Sequence, residues 1–216
     1  MSWSDPGGGL GGGRRGYHHG NLREALVEAA LELIAVKGPA GFTIAEAARL
    51  AGVSPAAPYR HFRDAEALLA EVALRGFDRL AEVLSRAWTN ATPNATRAFE
   101  ALGRAYLGFA REQPAYYAAM FEARIAREDY PGLQSAAERA FAVLREAAAK
   151  LGEGLPAERR PPSLMVALHV WAMAHGIASL FISHSHKLPM EPEELLEAGL
   201  LIYLQSLGLA GLPDHR

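Results

Sequence analysis

The run Thr43-Ile44-Ala45-Glu46-Ala47-Ala48-Arg49-Leu50-Ala51-Gly52-Val53-Ser54, followed by Tyr59-Arg60-His61-Phe62, leaves little choice of local structure. Thr43 and Glu46 stand at capping-box spacing and open a short helix over 44–51. Gly52 supplies a tight turn. Ser54 then reads as an N-cap, with Pro55 at the first helical position, where its missing N–H costs nothing. Two short helices joined by a tight turn, with polar side chains on the second, form a helix-turn-helix. In that motif the second helix enters the DNA major groove.

Helical signals surround the motif. Asn21 and Glu24 form a capping-box-like start to a helix over 22–37, with Leu22, Leu26, Ala30 and Leu33 on one face and Gly38-Pro39-Ala40-Gly41 ending it. Asp64 caps a longer helix over 65–88, in which Leu69, Val72, Leu80 and Leu84 recur at helical spacing. Further helices are predicted near 95–112, 115–124, 133–151, 163–183 and 192–207. Their breaks fall at Pro114, Tyr130-Pro131, 152–162 and 187–192. No run alternates as a strand would, so the expected fold is all-α. It comprises a flexible arm over 1–20, a three-helix helix-turn-helix domain over 21–67, and a larger helical bundle over 68–216 that dimerises.

Composition narrows the function classes. Half the residues are apolar, enough for a sizeable core. The formal net charge is −2, and residues 1–70 carry seven basic and seven acidic side chains, a balance less basic than most DNA readers show. The chain contains no cysteine. Disulfides, thiolate nucleophiles and cysteine-bound zinc are therefore excluded, and a cytoplasmic location is expected. The Gly-rich start lacks the apolar core of a signal peptide.

Three physical tasks fall on residues 14–63. Thr43 stands at a helix N-terminus, where a hydroxyl and free N–H groups suit a phosphate; Tyr59 and His61 can donate to the backbone as well. Each has a plainer alternative: a bare N-cap for Thr43, a core aromatic for Tyr59, a structural histidine for His61. Base reading falls to Pro55, Ala56, Ala57 and Arg60 at the start of the second motif helix, with the capping Ser54 beside them on the DNA-binding surface. Of these only Arg60 can grip guanine with two hydrogen bonds, while the small apolar side chains suit thymine methyls. Arg14 and Arg15, with Tyr17 and His18, form an arm able to reach an adjacent groove. Phe42 and Phe62 belong to the core.

Residues 22–69 resemble the N-terminal domain of TetR-family transcriptional regulators. The resemblance rests on Thr43, Ala48, Ala51-Gly52-Val53-Ser54, Tyr59, His61 and Phe62, followed by Glu66-Ala67-Leu68-Leu69. It implies a homodimer that binds a palindromic operator in double-stranded DNA and responds to a small molecule. Two departures stand out. The family usually carries a Lys shortly after that Phe, where this chain has Ala65, with Arg63 the nearest replacement charge. Pro58 falls in the first turn of the recognition helix, removes a donor and restrains Ala57, which predicts a short or distorted helix.

Residues 163–182 contain no Asp, Glu, Lys or Arg, a length that would span a bilayer. His169, His175 and the absence of basic flanks argue for a buried helix instead, and no membrane partner is expected. On the last helix Leu196, Leu200, Tyr203 and Leu207 form a stripe that Leu195 and Ile202 broaden. Gly176 and Gly199 would admit close helix approach, giving a four-helix dimer interface. The Trp171…His175-Gly176 run resembles the Trp-His-Gly signature of one class of C-terminal domain in these regulators.

A ligand cavity there would draw on Tyr106, Phe109, Tyr117, Met120 and Phe121, with Phe141, Trp171 and His175; Tyr116 is a further candidate, and most such aromatics are ordinary core. His184-Ser185-His186 reads as an exposed loop in preference to a metal site. No cofactor, metal or catalytic constellation is expected. The function implied is a DNA-binding repressor released by a small apolar or aromatic effector. The alternative is a helical small-molecule-binding or scaffold protein with weak or lost DNA binding.

Overall fold

The structure, a computed structural model, describes residues 22–91, 95–183 and 189–209. Within them the chain forms eight α-helices and three short 3-10 turns, with no strand among the described residues. The helices are α1 (Leu22–Lys37), α2 (Ile44–Leu50), α3 (Ala65–Ala91), α4 (Ala95–Glu112), α5 (Pro114–Phe121), α6 (Pro131–Gly152), α7 (Ser163–Ser183) and α8 (Pro192–Ser206). The 3-10 turns are Pro58–Arg60, Arg127–Asp129 and Ala157–Arg159. The expected all-α class is observed. Asn21, the arm over 1–20 and His184 to His186 lie outside the described residues.

Local chemistry explains the element ends. Thr43 Oγ1 accepts from the Glu46 N–H at 3.2 Å while Glu46 Oε2 accepts from the Thr43 N–H at 2.9 Å, so the capping box is complete. After α2 the Val53 N–H bonds the Ala48 carbonyl and the Gly52 N–H bonds the Arg49 carbonyl. This paired closure needs a left-handed residue between, and Gly52 supplies it with φ +70°. Asp64 Oδ1 accepts from the Ala67 N–H at 2.8 Å and starts α3.

The segment after Ser54 departs from expectation. It is not an α-helix opened by Ser54 and Pro55. Residues 55–57 form a turn, and only Pro58–Arg60 coil, as a 3-10 turn whose N-cap is Ala57 with no side-chain cap. Pro58 has no N–H to give a preceding carbonyl, so it starts a turn instead of continuing one. Ala57 itself stays helical (φ −63°, ψ −41°), against the usual bias before proline.

α1, α2 and the 55–62 segment form the head, and α3 carries it into the body. The buried positions Leu26, Val27, Ala30 and Ile34 of α1 share one core with Phe42, Ala47, Phe62, Leu68 and Val72. Arg23 bonds Glu71 at 2.6 Å, and Arg75 bonds both Glu24 and Glu71, so a four-residue charge network joins α1 to α3. Burial opposes ionisation of Glu71, but the two guanidiniums overcome it and hold its carboxyl below the ordinary range.

In the body α3 packs on α4, α5 and α6, while α7 packs on α4, α6 and α8. α7 is the one described helix long and apolar enough to cross a membrane. Its Val166, Ala167, Val170, Ala174, Ile177 and Ala178 are buried within this chain. On α8 the inward stripe is Leu196, Leu200 and Leu204, all essentially buried; Tyr203 is only half-buried and bonds His169 Nδ1 at 2.9 Å. A Cβ at Gly199 would sit 2.8 Å from Met173 Sδ, so α8 does approach α7 closely there. Gly176 meets nothing within 4 Å in this chain and faces outward.

Candidate nucleic-acid interface and interior cavity

The head presents its polar side chains to solvent. Tyr59 is 59% exposed, and Arg60, His61, Ser54, Pro55 and Ala56 are exposed beside it; Ala57 is half-buried. The core alternative for Tyr59 is therefore lost, whereas Phe42 and Phe62 are buried as expected. Thr43 is exposed and its hydroxyl already serves the capping box. Glu46, held by Lys37 at 2.6 Å and by Thr43, has its carboxyl lowered to about 2.

Two arginines differ from what the residues alone imply. Arg63 does not point freely outward: Nη2 donates to Tyr130 Oη at 2.8 Å, Nε bonds Asp64 at 3.2 Å, and the guanidinium lies over the Tyr130 ring at 5.3 Å. Tyr130 Oη in turn donates to Glu66 at 3.2 Å. Arg49, at the end of α2, is exposed and pairs with no carboxylate among the described residues; it is a further cation on the head. Nothing in the motif singles it out. Arg14 and Arg15 lie outside the described residues.

An interior cavity of about 280 Å³ opens between α3, α4, α6 and α7. Phe77, Leu80 and Leu84 wall it from α3, Leu102 and Tyr106 from α4, Phe141 and Leu144 from α6, and Val170 and Trp171 from α7. Of the eight residues proposed from sequence, Tyr106, Phe121, Phe141 and Trp171 line it. Phe109, Tyr117 and Met120 are buried but absent from its lining, and His175 stands behind it. Periodicity cannot distinguish these, because helices apolar on several faces do not reveal which face meets a void.

His175 has a definite role. The hydroxyls of Tyr106 and Tyr117 both lie 2.9 Å from its Nδ1, and Tyr117 also reaches Ser179 Oγ at 3.2 Å. Burial pushes the imidazole below its usual value and the two phenols above theirs, so all three are neutral near pH 7. Nδ1 carries either one proton or one lone pair, so the two phenols share a single strong position on it, and no buried side-chain polar atom among the described residues lacks a partner. The polar lining of the cavity, Arg127 of the 3-10 turn with Gln134 and Glu138 of α6, was not legible in the sequence. Arg127 sits in a short connecting turn without periodicity, where no pattern search finds it.

Comparison with known proteins accounts for most of the chain. Residues 26–72 match the family described as bacterial regulatory proteins, tetR family, and residues 99–202 match the tetracyclin repressor-like C-terminal domain. An uncharacterized HTH-type transcriptional regulator, YobS of Bacillus subtilis (strain 168), is 31% identical over 100 residues, covering 46% of this chain. The match spans about half of that relative, 51%. A structure from Rhodococcus sp. RHA1, of a protein with unknown function, superposes with a TM-score of 0.77 at 30% identity, covering 89% of this chain and 98% of that one. A TetR family transcriptional regulator from Thermus thermophilus shares the fold, with a TM-score of 0.64 at 21% identity over 83% of this chain and 97% of that one.

Proposed function

Because this chain belongs to the TetR family of bacterial regulatory proteins, we propose that it is a homodimeric repressor whose hold on a palindromic operator is weakened by a small apolar or aromatic effector. DNA-binding regulation comes with the family; repression, the dimer and the effector are the proposal. The observation that carries it is the course of α3. That helix begins at the Asp64 cap inside the head and lines the cavity farther along through Phe77, Leu80 and Leu84. A molecule that spreads the cavity walls acts on the same rigid element that aims the head. Such an effector lowers DNA affinity only if it binds differently to the two arrangements of the heads.

A second link runs through the 127–130 segment. Arg127 faces the cavity, and three residues later Tyr130 holds Arg63 and Glu66 of the head. For the dimer, the support is an outward apolar face on α7 and α8. Leu164, Leu168 and Leu180 on α7, with Leu195, Leu201 and Ile202 on α8, are exposed in the single chain. Two such helices from each of two copies make a four-helix interface. Within one dimer the heads would meet successive major grooves, each through the 55–61 segment, with Thr43 and Tyr59 on phosphates and Arg60 on a base.

The alternative, a helical binding protein that has lost DNA affinity, draws on three observations: Ala65, the even charge of residues 1–70, and the engagement of Arg63 by Tyr130. Mobility-shift titration of the full chain against the DNA upstream of its own gene separates the two. A shift that depends on sequence and weakens with salt supports the repressor. Absence of any shift at low salt rejects it.

A further inference from the structure

We propose that the cavity is built for a monocarboxylic acid, with a medium-length apolar body among the aromatic walls and its carboxylate on Arg127; this rests on the effector reading above. Arg127 and Arg75 are the half-buried arginines among the described residues, and Arg75 is held by Glu24 and Glu71. Arg127 is the single cation among the described residues lining the cavity. Its guanidinium lies 5.1 Å from the centre of the Phe77 ring, and the hydrogen bond it makes among the described residues is a long 3.4 Å contact to the Met120 carbonyl. Other arginines without a carboxylate partner among the described residues, such as Arg49 and Arg60, are exposed to solvent. Arg127 is half-buried and pairs with none among the described residues.

A guanidinium has five N–H donors in a planar fork whose natural complement is a carboxylate accepting two parallel hydrogen bonds. The donors of Arg127 that make no bond among the described residues remain accessible, so they are available to a ligand entering the cavity. The Phe77 ring supports the guanidinium by a cation–π contact, and the Met120 carbonyl takes only Nη2.

The surroundings set the class further. Glu138 lines the same cavity, with its Oε1 taken by the Gln134 amide at 2.6 Å. An anion in the cavity therefore has one cation, Arg127, to pair with and one carboxylate, Glu138, to repel it. A single carboxylate is matched by Arg127, while a dianion such as a phosphate monoester keeps a second charge unpaired and repelled by Glu138. The volume of about 280 Å³ equals roughly nine waters of bulk liquid. It lies just below the span of about 300–1,000 Å³ usual for small-molecule pockets, which fits a medium-length body.

Isothermal titration of the full-length protein with octanoate, octan-1-ol and octylammonium tests the assignment. Octanoate is expected to bind at least about tenfold more tightly than octanol, and octylammonium most weakly. Arg127→Gln should bring octanoate down to the level of octanol while leaving octanol unchanged, which also shows that the variant folds. Arg127→Lys should keep part of the preference. Ala140→Phe, which fills the cavity, should abolish binding of all three. Equal affinity for octanoate and octanol in the unaltered protein overturns the proposal. So does an octanoate preference that survives Arg127→Gln, or binding that survives Ala140→Phe. If octanol binds and releases DNA with no preference for the acid, the effector reading stands and the acid assignment falls. If none of the three binds, the acid assignment falls, and an operator shift that no cavity ligand changes takes the effector reading with it.

Discussion

Arg60 and Tyr59 stand side by side on the exposed 3-10 turn, yet their chemistry separates their expected roles. A guanidinium can choose guanine, whereas a phenol on a phosphate reads no base. Arg60→Ala should relax sequence preference at one position per half-site, at about 1–3 kcal/mol. Tyr59→Phe should weaken binding to all sequences alike. Binding-site selection with each variant checks this, and an unchanged preference for Arg60→Ala would remove it as the base reader. At this scale the sequence was informative where residue type dictates chemistry: the Thr43 cap, the left-handed Gly52 and the buried Phe62 were all legible. Arg127 was not, because a cation in a short turn looks like any solvated charge until the fold sets it beside a void.

Helix limits were read well wherever Gly, Pro or a cap punctuates them, so α1, α4 and α7 occupy the predicted 22–37, 95–112 and 163–183. The recognition segment is the exception, since Pro58 interrupts the helix that the Ser54-Pro55 signal announces. The capping box of α2 gives a pH prediction. Glu46 titrates near 2 in the folded head, below its ordinary 4.5, so its contribution is fully present above 4.5 and is lost as pH falls toward 2. Glu46→Gln should therefore flatten the acid limb of thermal stability between those values, as read by circular dichroism melts, with no change in slope above pH 5. Tyr130 offers a second test, at the joint between body and head. Tyr130→Phe keeps the ring and the Arg63–Asp64 pair but removes the hydroxyl that holds Arg63 Nη2 and Glu66. Arg63, released from that hydroxyl, should tighten DNA binding at low salt, the gain fading as salt rises, and should blunt the response to a cavity ligand. Anisotropy titrations at two salt concentrations read both effects. An affinity equal to that of the unaltered chain at both salts would show that Arg63 contacts no phosphate.

For the molecule as a whole, apolar pattern marked out the helices of the head and the body, but not which residues of the last two helices turn outward. The stripe read from spacing runs through Leu196, Leu200, Tyr203 and Leu207, whereas the buried one is Leu196, Leu200 and Leu204, and Tyr203 bonds His169. The outward set makes the dimer testable. Ile202 is 69% exposed in one chain, so Ile202→Glu should leave the fold intact and halve the mass measured by light scattering. An unchanged mass would place the interface elsewhere. The most direct measurement is hydroxyl-radical footprinting of the full-length protein on the DNA upstream of its own gene. Two protected half-sites are predicted, related by two-fold symmetry and centred about 34–36 Å apart or a multiple of that, both lost together in Ile202→Glu. A single asymmetric footprint, or protection that does not depend on sequence, would contradict the account.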